Sequence, residues 1–386
     1  MFSRSPLVSV PPGDGLTVHG SRRRALLGLA PALTLLAAST AHARSSATPR
    51  AAGASSASGT FAAVAAPTTS GASAASEMSM ATVGRPLVLS GPPATVSFPL
   101  VHMAESGVLN DVAPETRFQL WQNPDQLRAW AVRGGADFMA MPSNVAANLY
   151  NQGVPLRLLD VSTWGMLWLV TRDESRHALA DFRGQEIVMP FRADMPDILF
   201  GLLADRLGLD PKRDFSLRYV PTPFDAIQLL LTRRADHALL PEPAVSMVLR
   251  KSRSFPISVV APSLYRGVDL SQAWGRILDR APQVPQAGLA AVGPLHANAP
   301  LAERVRRAHA DSLAWCLAQP QACGELVARH IPMLTPDAIA DSIAQAREHV
   351  ADARQARAEL EYFFRALLDG QPALVGGRLP DDGFYA

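Results

Sequence analysis

Arg192, Asp194 and Glu242 are charged residues that folding alone does not fully account for in this sequence. Arg192 lies in "EIVMPFRADMPDILF" (186–200), where charge and proline separate two apolar runs. A guanidinium there offers a planar fork of donors matched to a carboxylate, phosphonate or sulfonate. The other readings of Arg192 are an ion pair with Asp194, Asp197 or Glu242, or plain exposure. Glu242, in "ALLPEPAVS", can receive an ammonium group or a heterocycle's N–H, or can cap a helix. Asp194 and Glu242 together would make their surroundings acidic and favour a cationic or amphoteric ligand. Trp164, beside Gly165 in "DVSTWGMLWLV", can stack on a planar group or pack on a cation. Trp121 ends an apparent strand in "FQLWQNPDQ" and is a further candidate, whereas Trp168 sits deeper in an apolar run and reads as core.

Catalysis finds less support. Ser90-Gly91 lacks the nucleophile-elbow pattern, and no glycine loop has phosphate-binding spacing. The nine histidines are scattered and the two cysteines lack metal-ligand spacing, so no metal or cofactor is expected. Asp194 and Glu242 could in principle do acid–base work, which keeps an enzyme as the alternative. The 36 basic and 34 acidic residues nearly balance, which argues against a nucleic-acid partner, for that needs a basic excess on one face.

The elements that must position these residues share one grammar. Glu186 to Met189 reads as a buried strand; Asp194 then fits an N-cap, with Pro196 in the first turn and Asp197 closing an acidic capping box. Ile198, Leu199, Leu202, Leu203 and Leu207 follow at helical spacing. "LVLSGPPATVSFPL" predicts a strand to Leu89, a loop, and a helix from Thr95 or Ser97. "DFMAMPSNVAANLYNQG" predicts a strand to Met141, a break at Pro142 and a Ser143 cap. "LRYVPTPFDAIQLLL" predicts a strand to Val220 and a helix after Pro221-Thr222-Pro223. "DHALLPEPAVSMVLRK" predicts a strand to Leu240, with Glu242 as cap and Pro243 at the first helical position. Strands alternating with helices in this way give mostly parallel sheets flanked by helices, an α/β fold. In such sheets, strand ends and helix starts share one edge, where ligands meet backbone N–H groups and positive dipole ends.

Two groups of units are visible, 85–181 and 182–280. "PQAGLAAVGPL" (285–295) reads as a strand returning to the first group, and residues 281–386 continue into helices broken near Pro320 and Pro336. Two connections between two lobes imply a hinge and a cleft.

Ahead of the fold, "SRRRALLGLAPALTLLAASTAHA" has an arginine cluster, a modest apolar run and a small-x-small site, the anatomy of a cleaved export signal over 1–43. Ser21-Arg22-Arg23 points to the twin-arginine route, with general secretion as the alternative. Residues 44–84, rich in Ala, Ser and Thr, read as a disordered tether. Cys316 and Cys323 would stand roughly 10 Å apart on one straight helix, too far to bond. Pro320 between them reopens the choice between a disulfide and two buried thiols.

In order and spacing, "GGADFMAMPSNVAANLYNQGVPLRLL", "LADFRGQEIVMPF", "GLDPKRDFSLRYVP", "AIQLLLTRRADHALLPEP" and "PQAGLAAV" resemble the periplasmic substrate-binding proteins of ABC importers. The resemblance is to the nitrate/sulfonate/taurine group of type II binding proteins and covers about residues 85–300. It implies a two-lobed fold closing on a small-molecule solute, a membrane permease as partner, a monomer and a periplasmic location. It also implies the cleft-lining loops, here carrying Ser90, Gly91, Pro92 and Ala94; Pro142, Ser143 and Asn144; Thr163 and Trp164; Arg192 and Asp194; Thr222; and Glu242. Two features depart from the oxyanion binders of that group. The second-lobe loop is the bulky, charged "FRADMPD", and the first loop has two prolines, which lack the N–H donors an anion would use. A related family on this fold that makes the thiamine pyrimidine has a cysteine- and histidine-rich motif, which is absent here.

Overall fold

A computed structural model describes residues 82–260, 263–345 and 347–386. The export signal and nearly all of the tether expected before the fold lie outside these residues. Near the start of the described residues, Val83 N–H donates to Val112 O at 2.7 Å.

Twelve strands run in chain order: β1 Leu87–Gly91, β2 Thr116–Leu120, β3 Phe138–Pro142, β4 Leu156–Leu158, β5 Asp160–Val161, β6 Leu167–Thr171, β7 Glu186–Pro190, β8 Ser216–Val220, β9 His237–Pro241, β10 Tyr265–Asp269, β11 Ala287–Val292 and β12 Ala351–Asp352. The first sheet has the order β2-β1-β3-β11-β4, and the second has β8-β7-β9-β6-β10. The two are the same arrangement. In each, three parallel strands are followed by one strand from the other side of the crossing, β11 or β6, inserted antiparallel. The central strands "FMAMP", "EIVMP" and "HALLP" are apolar almost throughout because helices cover both of their faces.

The pairing of β6 corrects one boundary. Leu167–Thr171, read from sequence with the first group, pairs with β9 and β10 in the second sheet. The chain therefore crosses at residues 162–166, earlier than the sequence indicated, and returns at 279–286. The two crossing segments are stitched together: Gln286 N–H donates to Thr163 O at 3.0 Å and Val284 N–H to Trp164 O at 2.9 Å. A continuous apolar run marked the strand but carried no information on which sheet it joins.

A third connection comes from the C-terminus. After the helix Pro336–Gln345, the chain passes to β12, which pairs with β5 at the crossing, and then forms the helix Arg357–Gly370. Phe363 and Phe364 of that helix share one hydrophobic core with Val145 and Leu149 of the first lobe and Leu199, Phe200 and Trp274 of the second. Arg280, on the return crossing, pairs with Glu359 at 2.8 Å and lies over Tyr362.

Cys316 lies in the last turn of the helix Ala299–Ala318 and Cys323 in the first turn of Pro320–His330; the break at Pro320 brings their Cα atoms to 5.1 Å and they are bonded. The choice left open by the sequence resolves to a disulfide.

Candidate functional site

The cleft edge is built from the ends of β1, β3, β7, β8 and β9 and the helices that follow them. In the first lobe, β1 runs two residues further than predicted, to Gly91, and ends in Pro92-Pro93. Ser97 Oγ donates to Pro92 O at 2.6 Å, and a Cβ at Gly91 would run into that hydroxyl, so the turn needs glycine. Ala94 is extended, and a short 3-10 turn, Thr95–Ser97, leads into the helix Phe98–Glu105 with no side-chain cap. Ser143 opens its helix but does not cap it, correcting the sequence expectation: its hydroxyl donates to Pro285 O at 2.5 Å and its N–H to Gln286 O. The hydroxyl is thus drawn to the returning crossing segment, which local sequence could not show.

Several buried polar groups at this edge have no partner among the described residues. Ser90 Oγ, Thr163 Oγ1, Ser162 Oγ, Asn144 Oδ1 and Gln286 Nε2 are enclosed and unbonded. Gln286 Oε1 accepts from Met166 N–H at 3.3 Å, which leaves its NH2 as an unused donor. Unpaired buried polar atoms are costly, and their gathering at one sheet edge is the mark of a surface meant to meet something polar.

The second lobe is different. Asp194 is the N-cap of Met195–Arg206, as predicted, accepting from Met195 N–H at 3.0 Å, while Asp197 accepts from Ala193 N–H at 2.8 Å. Thr222 and Asp225 form a complete capping box on Pro223–Leu231. Glu242 Oε2 accepts from Ser246 N–H at 3.0 Å, and Asp269 caps Leu270–Leu278. Each of these helix starts already holds a carboxylate from its own lobe. The acids are also paired. Arg266 Nη2 lies 2.6 Å from Glu242 Oε1, and Arg128, from the first-lobe helix Pro124–Arg133, reaches across to Asp194 at 3.0 Å. Burial nevertheless outweighs Arg128 and raises the Asp194 carboxyl above the usual range. The acidic surroundings expected of Asp194 and Glu242 are neutralised by these two arginines.

Arg192 is exposed and lies over the Tyr219 ring, 5.2 Å from its centroid. None of the ion pairs considered for it is present among the described contacts. Its neighbours Phe191 and Ala193 hold φ of 58° and 60°, the left-handed region that non-glycine residues avoid, so this loop is strained at the cleft edge. Trp121 is buried, its indole donating to Ala140 O at 3.2 Å beneath the first sheet.

The sequence reading missed residues 347–349. Arg347 reaches Asp269 of the second lobe at 3.3 Å. Glu348, half-buried, lies beside Thr95 at the first-lobe edge, and His349 stacks flat on Trp164 at the crossing, 4.9 Å between centroids, while its carbonyl accepts from the indole N–H. Three consecutive side chains thus touch lobe, lobe and hinge. Desolvation pushes the Glu348 carboxyl up to about 7. Behind it, His309 and Asp160 form a fully buried pair at 2.8 Å. The sequence reading ran this segment into the C-terminal helical stretch, and its run of charge, "AREHV", has no distinctive chemistry on its own; the structure shows no helix at 347–349.

With this geometry in view, comparison with solved structures is informative. An ABC transporter protein from Parabacteroides distasonis superposes with a TM-score of 0.63 at 23% identity, over 78% of this chain and 98% of that one. The periplasmic aliphatic sulphonate binding protein SsuA from Escherichia coli gives 0.58 at 14%, over 78% and 93%. The periplasmic nitrate-binding protein NrtA from Synechocystis PCC 6803 gives 0.57 at 13%, over 76% and 85%. No protein-family model and no curated protein matches the chain. At these identities the likeness defines the fold alone: the two-lobed α/β architecture that this chain shares with periplasmic binding proteins.

Proposed function

We propose that this protein is the extracytoplasmic solute-binding component of an ABC importer, capturing a small organic solute between its lobes and delivering it to a membrane permease. The observation that carries the reading is the contrast across the cleft: a first-lobe edge of buried, unpartnered hydroxyls and amides meets a second-lobe edge bound to it by Arg128 and Asp194. The solute docks on Ser90, Gly91, Pro92 and Ala94 and on Pro142, Ser143 and Asn144, against Thr163 and Trp164 at the crossing. The second-lobe loops that carry Asp194 and Glu242 then close over it, with Arg192 at the rim on Tyr219 and Thr222 holding its own helix start, and Trp121 supports the docking edge from below. Closure is favoured only by contacts the solute adds in the closed state. The neighbours are binding proteins of import systems, and the disulfide suits an oxidising compartment reached through the signal expected at 1–43. Among the described residues no helix is long and apolar enough to cross a membrane. The protein acts as a monomer, without nucleic acid or cofactor.

One observation favours an enzyme instead: Asp160 orients His309, whose Nε2 has no partner. That nitrogen is fully buried, so substrate has no route to it, and the binding reading prevails.

Native mass spectrometry of protein purified undialysed from its own host should show a retained solute, and adding that solute to emptied protein should contract it in solution scattering. Binding without contraction would overturn the two-lobe mechanism, and turnover of the solute would favour the enzyme.

A further inference from the structure

The second lobe carries its most exposed apolar side chains at the end remote from the cleft. The helices Pro223–Leu231 and Ala244–Arg253 start at the cleft edge and run back from it, so their C-termini lie at the opposite end of the lobe. After Arg253 the chain turns into a short helix, Ile257–Val260, none of whose residues is buried. Phe255, Val259 and Val260 are 84%, 74% and 63% exposed. A single exposed apolar residue such as Val132 is ordinary. Three of them in one short stretch form a knuckle that water covers only at a cost. The knuckle is tied to the lobe: Ser258 N–H donates to Ser254 O at 2.8 Å, and Arg233, just past Pro223–Leu231, donates to Val260 O at 3.5 Å.

Its surroundings are positive. Residues 243–268 contain no aspartate or glutamate. Of the cations that end Ala244–Arg253, Arg250 is taken up by Asp337 and Asp341. Lys251 and Arg253 have no carboxylate partner among the described contacts. Arg233 and Arg234, brought alongside by the bond to Val260, have none either. A helix C-terminus favours cations through its dipole. That accounts for a basic last turn and leaves the apolar knuckle unexplained.

The surfaces able to cover such a knuckle make different demands. A second copy meeting it face to face would set these unpaired cations against their own kind. A folded protein partner needs roughly 800 Å² of complementary surface on each side, and one phenylalanine with two valines offers only a fraction of that. An anionic bilayer requires no matching shape. Apolar tips enter the boundary between headgroups and acyl chains while the surrounding Lys and Arg meet phosphates.

We propose that residues 255–260 are a membrane-contact site for anionic phospholipid, with the apolar side chains entering the headgroup layer and the neighbouring cations binding lipid phosphates. Contact of this kind is peripheral and reversible, because the segment is far too short to span. It leaves the cleft edge, at the other end of the lobe, uncovered, so lipid contact and solute binding are independent. Confinement to the bilayer surface raises the protein's effective concentration beside any integral membrane partner.

The test sediments the protein, as purified from its own host, with vesicles of phosphatidylcholine alone or mixed with phosphatidylglycerol. Binding to the mixed vesicles at low salt is expected, falling as salt rises, with little to phosphatidylcholine alone. Phe255→Ser combined with Val259→Ser should weaken binding about tenfold or more. Lys251→Gln with Arg253→Gln should weaken it roughly fivefold for each charge removed. Val132→Ser, an exposed valine of the first lobe, should leave it unchanged. None of these side chains is buried, so thermal midpoints should stay at the wild-type value and check the fold. Phe255→Trp should gain quenching by bromine-labelled acyl chains beyond that of wild type, which reads insertion directly. No binding to the mixed vesicles, or binding that the Phe255/Val259 change leaves untouched, overturns the assignment. So does a concentration-dependent dimer abolished by that change, or membrane binding that requires an embedded protein, since either gives the knuckle to a protein partner. All these failures leave the solute reading intact, because retained solute and contraction report on the cleft.

Discussion

The two sheets share one strand order, yet their cleft edges are finished differently. The second lobe satisfies its helix starts internally: Asp194, the Thr222–Asp225 box, Glu242 and Asp269 each sit on N–H groups of their own lobe. The first lobe caps Pro124–Arg133 with neutral Asn123, but leaves the helices at Phe98 and Ser143 without side-chain caps. It also leaves Ser90 and Asn144 with buried unpaired atoms. A lobe whose helix starts are satisfied can sit in water when the cleft is open; one with uncapped helix starts gains most from a guest. The asymmetry fits a first lobe that docks and a second that covers, and it can be broken from either side.

The largest effect should come from Arg266. Replacing it with alanine leaves Glu242 buried without its cation, which costs about 3 kcal/mol and should appear as a lower denaturant midpoint. Glu242→Gln should cost less, because it removes the charge together with the need for a partner. If Arg266→Ala is as stable as wild type, the second lobe is not held by its internal pairs.

Next is the pH dependence of the empty protein. Glu348 titrates near 7 when folded, above its ordinary value of 4.5. The raised value means that its protonated form is favoured by folding. This contribution is therefore full below about pH 4.5 and is lost as pH rises through about 7. Allowing for the residue's remaining access to water, the loss is on the order of 2 kcal/mol. Asp194, also raised by burial, adds a loss in the same direction. Thermal midpoints across pH 5 to 8 should fall in wild type and fall less in Glu348→Gln; parallel curves would return Glu348 to solvent.

Arg128→Ala tests the link between the lobes. Arg128 is partly exposed, so the pair with Asp194 is screened, and its loss should weaken solute binding by about 1.4 kcal/mol, or tenfold. The isolated lobes should keep their packing, so the stability change should be smaller than for Arg266→Ala. Unchanged affinity would mean that the Asp194 contact does not contribute to closure.

Thr222→Ala should cost about 1 kcal/mol of stability by removing a cap, with solute affinity unchanged, because the hydroxyl already donates to Asp225 Oδ2 at 2.7 Å. A clear loss of affinity would show that this helix start is not self-satisfied.

What the sequence revealed of this asymmetry, and what it hid, follows from distance along the chain. The Asp194 cap, the Thr222 helix start and the returning strand at 287–292 are local patterns, readable from spacing of apolar and capping residues within a dozen positions. The partners that define the site are remote: Arg128 lies 66 residues from Asp194, and Ser143 meets Pro285 across 142. Glu348 was invisible for the same reason, since nothing in "AREHV" records that the chain passes between the lobes there. The membership of β6 failed on a related point, because a buried strand of either sheet has the same composition.

Arg192 gives the smallest effect and the finest discrimination. Its sequence setting left open a clamp for an anionic group, an ion pair or plain exposure, and the structure holds it exposed in a strained loop, over a tyrosine whose hydroxyl donates to Asp197 at 2.9 Å. An exposed arginine on an aromatic face contributes about 0.5 kcal/mol, so Arg192→Ala should lower stability slightly and change affinity by no more than about twofold. Tyr219, pushed up to about 12 chiefly by burial, stays neutral across the working range, and Tyr219→Phe should leave both quantities near wild type. A tenfold loss of affinity in Arg192→Ala, with stability intact, would mean that the loop turns inward when the solute arrives. The second lobe would then contribute a free cation, and the division between a docking lobe and a covering lobe would no longer hold.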